Sequence, residues 1–149
     1  MNVLLDTNIV IDALENREPF NRAAQDIILL AAEHKIDAHV TATSVTDIYY
    51  LLRRHLKDRN NTREAVRKII MLLPVLDVTA SDCDLAFDLS MHDYEDAVLA
   101  QCAKRHKVDC IVTRNEKDYV NSPVTSIHPD VFVKRLAEIA LETDVNSEV

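Results

Sequence analysis

The chain has 149 residues, with 17 Lys and Arg against 25 Asp and Glu, a formal charge of −8, three Cys, no Trp and no Gly. A chain of this length forms one domain that buries about 70% of its unfolded surface. Average usage would supply roughly ten glycines, and their absence excludes a Walker phosphate loop, a G-x-G-x-x-G dinucleotide turn, a G-x-S-x-G elbow and a standard EF-hand loop.

In chain order, Val3-Leu4-Leu5 is a β-prone run that meets Asp6-Thr7-Asn8. Phe20, Ala23, Ala24, Ile27, Ile28 and Ala31 then recur at helical spacing, with Pro19 placed to open the helix. His39-Val40-Thr41 predicts a second strand. After it, Ser44 and Asp47 have the spacing of N-cap and N3 in a capping box, and Ile48, Leu51, Leu52 and Leu56 carry the helix onward. Val66, Ile69, Ile70 and Leu73 form another helix, Val75 to Val78 a third strand, and Ser81 with Asp84 the cap of a short helix. Asp93 and Asp96 stand at cap spacing before a helix from about Tyr94 to His106. Cys110 to Thr113 and Val124 to Ile127 are the last β-prone runs, and Pro129 opens a final helix through Phe132, Leu136, Ile139 and Ala140. Such alternation predicts an α/β fold, a three-layer α/β/α sandwich with a central parallel sheet of about five strands. The domain is expected over residues 1–142, with a polar C-terminal tail at 143–149 that frays.

The net acidity argues against coating nucleic acid or anionic membrane by bulk attraction, although a local basic patch could still bind. No apolar run approaches a membrane span, and no leader precedes Asp6, so a soluble cytoplasmic chain is expected. The odd number of cysteines and the lack of C-x-x-C spacing point to buried, reduced thiols rather than disulfides or zinc.

Ligands of an open parallel sheet bind beyond the carboxyl ends of its strands. Asp6, Asp47, Asp96 and Asp118 are all expected at that edge or one turn past it. Helix capping accounts for each location singly and gives no reason for the four to converge. Crowded carboxylates repel, raise one another's pKa and need a cation to stay ionised together. Their hard oxygens select Mg²⁺ or Mn²⁺ over zinc, and one or two such ions can activate a water and stabilise charge developing on a phosphodiester.

Leu5-Asp6-Thr7-Asn8, the run Ser44 to Tyr50, Asp93-Tyr94-Glu95-Asp96-Ala97 and the run Ile111 to Tyr119 together resemble the PIN-domain family, in order and spacing, over about residues 1–133. That family consists largely of metal-dependent ribonucleases, among them the VapC-like toxins of toxin–antitoxin pairs. The resemblance implies a Mg²⁺- or Mn²⁺-dependent endoribonuclease that acts on RNA and is restrained by an antitoxin protein. It implies Asp6, Asp47, Asp96 and Asp118 as catalytic, metal-site carboxylates, supported by Thr7, Asn8, Thr113 and Asn115. Two departures stand out. Many toxin members carry Glu at the second acid, whereas Asp47 is one methylene shorter and so reaches an ion through water. Asn115 and Asp118 compete for the fourth position, where Asp118 is preferred because only it brings charge. Glu95 is turned about 100° from Asp96 on a helix and is the weaker candidate.

The alternative class is a PIN-fold module that binds RNA or protein without catalysis, against which the four acids argue. A small-substrate phosphohydrolase lacks its D-x-D start, since Thr7-Asn8 follow Asp6. Residues 53–68 hold seven basic residues against two acids, a local charge of +5 that fits a solvated helix pair, a rail for RNA phosphates, or a homodimer or antitoxin surface. Arg53, Arg54 and Lys57, with Arg114 and Lys117 nearer the acids, are the candidate RNA contacts. Tyr49, Tyr50, Tyr94 and Tyr119 lie in the motif segments, where they either pack in the core or stack a base.

Overall fold

In the computed structural model, which describes residues 1–148, each β-prone run contains a strand: β1 (Asn2–Leu5), β2 (Asp37–Thr41), β3 (Val75–Leu76), β4 (Cys110–Val112) and β5 (Ser126–Ile127). They pair in the order β3-β2-β1-β4-β5, and every pair is parallel. Seven helices connect and follow them: α1 (Thr7–Leu14), α2 (Asn21–Ala32), α3 (Ala42–Leu56), α4 (Arg59–Leu72), α5 (Ala80–Leu85), α6 (Tyr94–Arg105) and α7 (Pro129–Ser147).

Alternation along β1 makes the layers. Successive strand side chains point to opposite faces. Val3 and Leu5 therefore pack with Ile9 of α1, Ile27 of α2, Ile48 and Leu52 of α3, Val66 of α4 and Phe132 of α7. Leu4 packs on the other side with Leu99, Ala100 and Ala103 of α6. All three strand residues are fully buried, as a parallel sheet covered on both faces requires. The chain runs from β1 outward through β2 to β3, then returns to the far side of β1 as β4. This reversal opens a crevice beyond the carboxyl ends of β1 and β4, where doubly wound sheets place their ligands.

Three helix starts differ from expectation. The α3 N-cap is Thr41, whose hydroxyl accepts from the Ser44 amide at 3.1 Å, so Ser44 is the third helical residue and Asp47 lies in the second turn. Thr41 wins because the last residue of β2 already has the extended backbone a cap needs. The α5 capping box is Thr79 with Asp82, two residues ahead of the expected Ser81 and Asp84. Pro19 lies in the turn before α2, whose N-cap is Phe20.

Asn16, His34, Lys57 and Lys107 follow helices α1, α2, α3 and α6 with φ of 53° to 56°. Glycine usually fills this left-handed position, and a chain without one accepts about 1 kcal/mol or more of backbone cost at each such site. Helix α7 continues through Ser147, with residues 137–148 exposed, so the polar segment from 143 is helical up to Ser147 and ends at Glu148 as C-cap; Val149 lies outside the described residues. Among the described residues no helix is long and apolar enough to cross a membrane. The three cysteines are unpaired, but only Cys102 is buried, whereas Cys83 is exposed.

Candidate active site

Asp6 stands where β1 ends and α1 begins. Its amide donates to the Val112 carbonyl of β4 at 3.0 Å, which fixes it across the crevice. One carboxylate oxygen caps α1 by accepting from the Thr7 amide at 2.7 Å. The other accepts from the Thr113 hydroxyl at 2.8 Å, the Asn8 amide group at 3.3 Å and the Tyr119 hydroxyl at 3.3 Å. Burial pushes the Asp6 carboxyl above its ordinary range, and these hydrogen bonds offset part of the rise. Capping and site geometry thus coexist in one residue.

Asp96 faces Asp6 from the first turn of α6. Its amide donates to the Asp93 cap at 3.0 Å, as the sequence spacing predicted. Its carboxylate accepts from the same Tyr119 hydroxyl at 3.0 Å, so one phenol proton lies between two acids. Burial, followed by the charge of Asp6, pushes Asp96 up to about 6, against a downward pull from the Tyr119 hydrogen bond. Tyr119 is buried and held firmly protonated, first by desolvation and then by the two carboxylates. Its place is in neither the apolar core alone nor an exposed stacking surface.

The acids surround a cleft of about 580 Å³. Asp6, Asp47, Asp96 and Asp118 all line it, as do Thr7, Asn8 and Asn115. Thr113 lies beneath, fully buried, and acts on Asp6 alone among the acids. Glu95 also lines the cleft and shares a hydrogen bond with Asp47; that bond, then burial, then the charges of Asp47, Asp93 and Asp96 push it up to about 7. The 100° between Glu95 and Asp96 therefore separates them without excluding either, because the cleft spans from Asp6 on one side to α3 on the other. Adjacent acids on one helix are the signal that could have raised Glu95.

The sequence pattern of the PIN domain matches residues 2–117. The chain belongs to the PIN domain family. Solved structures similar to this PIN domain include FitAcB from Neisseria gonorrhoeae, at 20% identity and TM-score 0.68 over 85% of this chain and 97% of that one. A toxin–antitoxin complex from Klebsiella pneumoniae matches at 19% identity and TM-score 0.62, over 86% and 98% of the two chains. VapC20 of Mycobacterium tuberculosis, a Sarcin-Ricin loop cleaving toxin, matches at 15% identity and TM-score 0.60, over 74% and 87%. A search of curated protein sequences found no match.

The donor set of the PIN domain cleft fits a hard divalent cation. It is all oxygen, and among the described residues no ion pair reaches Asp6, Asp47, Glu95, Asp96 or Asp118. No three acidic, histidine or cysteine side chains among those residues are closed into a ready-made coordination shell; the acids share a space instead of meeting at a point. Mutual repulsion favours that spread in the absence of a bound charge.

Of the basic candidates, only Arg54 lines the cleft; Arg53, Lys57, Arg114 and Lys117 lie outside it. Arg114, expected to reach RNA, is engaged inside the protein. Its guanidinium pairs with buried Asp12, one nitrogen donating at 3.2 Å, and its Cζ lies 4.0 Å from the centre of the Phe20 ring. A lone acid amid Ile9, Val10, Ile11, Ala13 and Leu14 was the available sign that Asp12 would need such a partner.

Proposed function

We propose that this PIN domain is a Mg²⁺- or Mn²⁺-dependent endoribonuclease and the toxin of a toxin–antitoxin pair. The observation that carries the reading is the convergence of six carboxylates on one cleft, none of them in an ion pair among the described residues. Asp6, Asp96 and Asp118 would hold the ion, with Asp47 reaching it through water. A divalent cation bound there supplies charge that activates a water and stabilises a phosphodiester under attack.

The chain's own groups prepare that position. Thr7, Asn8 and Thr113 fix the orientation of Asp6, the kind of outer support on which metal affinity depends. Tyr119 keeps its proton and ties Asp6 to Asp96. Asn115, whose amide donates to the Thr113 hydroxyl at 3.1 Å, orders the segment that carries Asp118. Glu95, pushed up to about 7 first by the neighbouring Asp47 carboxylate and then by burial, is partly protonated near neutral pH, which lessens the charge of the cleft.

The toxin reading is supported by the likeness to a toxin–antitoxin complex and to a loop-cleaving toxin. It places the protein in the cytoplasm with RNA as substrate and an antitoxin, encoded beside it, as partner. The basic α3–α4 pair is the surface for phosphates, for the antitoxin or for a second copy of the chain. Purified protein is expected to cut RNA with Mg²⁺ or Mn²⁺ and to stop with EDTA. Cleavage that persists in metal-stripped buffer, or that is the same in Asp6→Asn and Asp96→Asn, overturns the mechanism.

A further inference from the structure

Asp47, Tyr50, Leu51 and Arg54 of α3 stand at i, i+3, i+4 and i+7, one face of a helix, and all four line the acidic cleft. The other motif tyrosines are occupied elsewhere. Tyr119 lies between Asp6 and Asp96, Tyr94 donates to the Cys83 carbonyl at 2.7 Å and stacks on Phe87, and Tyr49 lines a separate groove with Arg63 and Arg67. Tyr50 is 68% exposed. Tyr49 meets it with the rings at 89° and their centres 5.4 Å apart, an edge contact that braces Tyr50 and leaves at least one of its faces open.

Charge gives this face a direction. Arg54 makes no ion pair among the described residues, whereas Arg17, the other cation at the cleft, is held by Glu15 at 2.7 Å. Arg54 lies roughly 10 Å along α3 from Asp47, at 1.5 Å per residue. A phosphate is repelled by Asp47 and Glu95 and attracted at Arg54, so a nucleic-acid strand enters the cleft from that end and passes Tyr50 on its way to the acids.

We infer that Tyr50 and Arg54 form a nucleotide subsite beside the acids, in which an unpaired RNA base stacks on Tyr50 and an adjoining phosphate lies against Arg54. The inference rests on the nuclease reading for the identity of the strand. A base inside a duplex cannot offer its face to a side chain, so the subsite selects single strands and loops. Stacking is sequence-tolerant, and the subsite reads the unpaired state more than the base.

The test uses Asp6→Asn protein, to prevent cleavage, in Mg²⁺ buffer with a single-stranded oligoribonucleotide carrying one 2-aminopurine, and the same base placed in a hairpin stem. Binding of the single strand is expected to quench the fluorescence, and binding of the stem to leave it unchanged. Adding Tyr50→Ala is expected to abolish the quenching and weaken Kd about fivefold or more, the range of base–aromatic stacking, while Tyr50→Phe keeps both. Arg54→Ala is expected to flatten the salt dependence of binding by about 0.7 in log–log slope, the share of one single-strand phosphate. Because Tyr50 is exposed, circular dichroism of the variants should match the parent. Equal Kd and equal quenching in parent and Tyr50→Ala overturn the subsite, as does a Tyr50→Ala protein that loses only binding to a protein partner. Cleavage by wild type alongside either result leaves the nuclease reading standing without the subsite. Quenching that depends on Tyr50, in a protein that cuts no RNA with any divalent ion, supports the subsite and sinks the nuclease reading.

Discussion

Two sets of acids in this fold face different fates. Asp12 and Asp82 are fully buried, and each is gripped by an arginine: Arg114 for Asp12, and for Asp82 the fork of Arg105, whose nitrogens donate at 2.9 to 3.1 Å. Burial alone would raise the Asp82 carboxyl, but hydrogen bonds from Arg105 and Thr79 outweigh it and hold it below the usual range. Across the sheet edge, Asp96 is pushed up to about 6 and Glu95 to about 7, and neither forms an ion pair among the described residues. Burial by itself therefore does not mark a site. A buried acid with a cation of its own holds the fold, whereas Asp96 and Glu95, without one, keep raised pKa values.

The largest effect should come from breaking an internal pair. Asp82→Ala leaves Arg105 with only its contacts to Asp77 and removes the α5 capping box, and is expected to cost about 3 kcal/mol of stability in urea unfolding. Asp6→Asn, also at a buried position, is expected to leave the metal-free protein as stable as wild type or more so, because it removes a desolvated charge and relieves its repulsion of Asp96. Equal losses in the two variants would erase the distinction.

Metal should act on one region only. At a concentration a hundred times its Kd, Mg²⁺ is expected to stabilise wild type by about 2.7 kcal/mol. At about 2 to 4 °C per kcal/mol for a chain of this size, the melting temperature should rise by several degrees. Asp6→Asn should gain less, and Asp82→Ala as much as wild type. A wild-type melting temperature indifferent to Mg²⁺ and Mn²⁺ would leave Asp6 as a helix cap and the other cleft acids without a metal role.

The pH dependence of stability should separate the regions by sign. Asp96 and Glu95 have raised pKa values in the folded state, so between about pH 4 and 7 the folded protein binds more protons than the unfolded chain. Their contribution to stability in EDTA accordingly falls as pH rises through that window. Asp82, with a lowered pKa, contributes stability that is present above about pH 4 and is lost as pH falls through its folded value. Thermal unfolding of Asp96→Asn in EDTA should show a shallower decline toward pH 7 than wild type; an identical slope would contradict the assignment. The smallest effect is expected at the basic helices, where Arg53→Ala with Arg54→Ala should weaken RNA binding and flatten its salt dependence without altering the fold, as read by binding titrations at several salt concentrations.

Much of this was legible in the residues. Helical periodicity and β-prone runs act over a few neighbours, so the alternation of elements and the parallel sheet could be read directly, as could the cap of Asp93 on the Asp96 amide. The strand-end rule then brought Asp6, Asp47, Asp96 and Asp118 to one edge, where all four line one cleft. Cap choice was less legible: Thr41, Thr43 and Ser44 are all competent, and the decision fell to where β2 stops pairing with β3.

What only the tertiary structure decided are contacts between segments far apart in the chain. Thr113 reaches Asp6 across 107 positions, Tyr119 reaches it across 113, and Arg114 reaches Asp12 across 102. No periodicity carries that information, because each contact exists only once β4 has been laid beside β1. The turn of Glu95 toward Asp47 is of the same kind. By itself the sequence specified which acids arrive at the sheet edge, since strand ends and helix starts are local. Which acids receive a cation from the protein and which are left without one was set by packing, since a guanidinium neutralises a carboxylate only where the fold holds the two within about 3 Å and away from water.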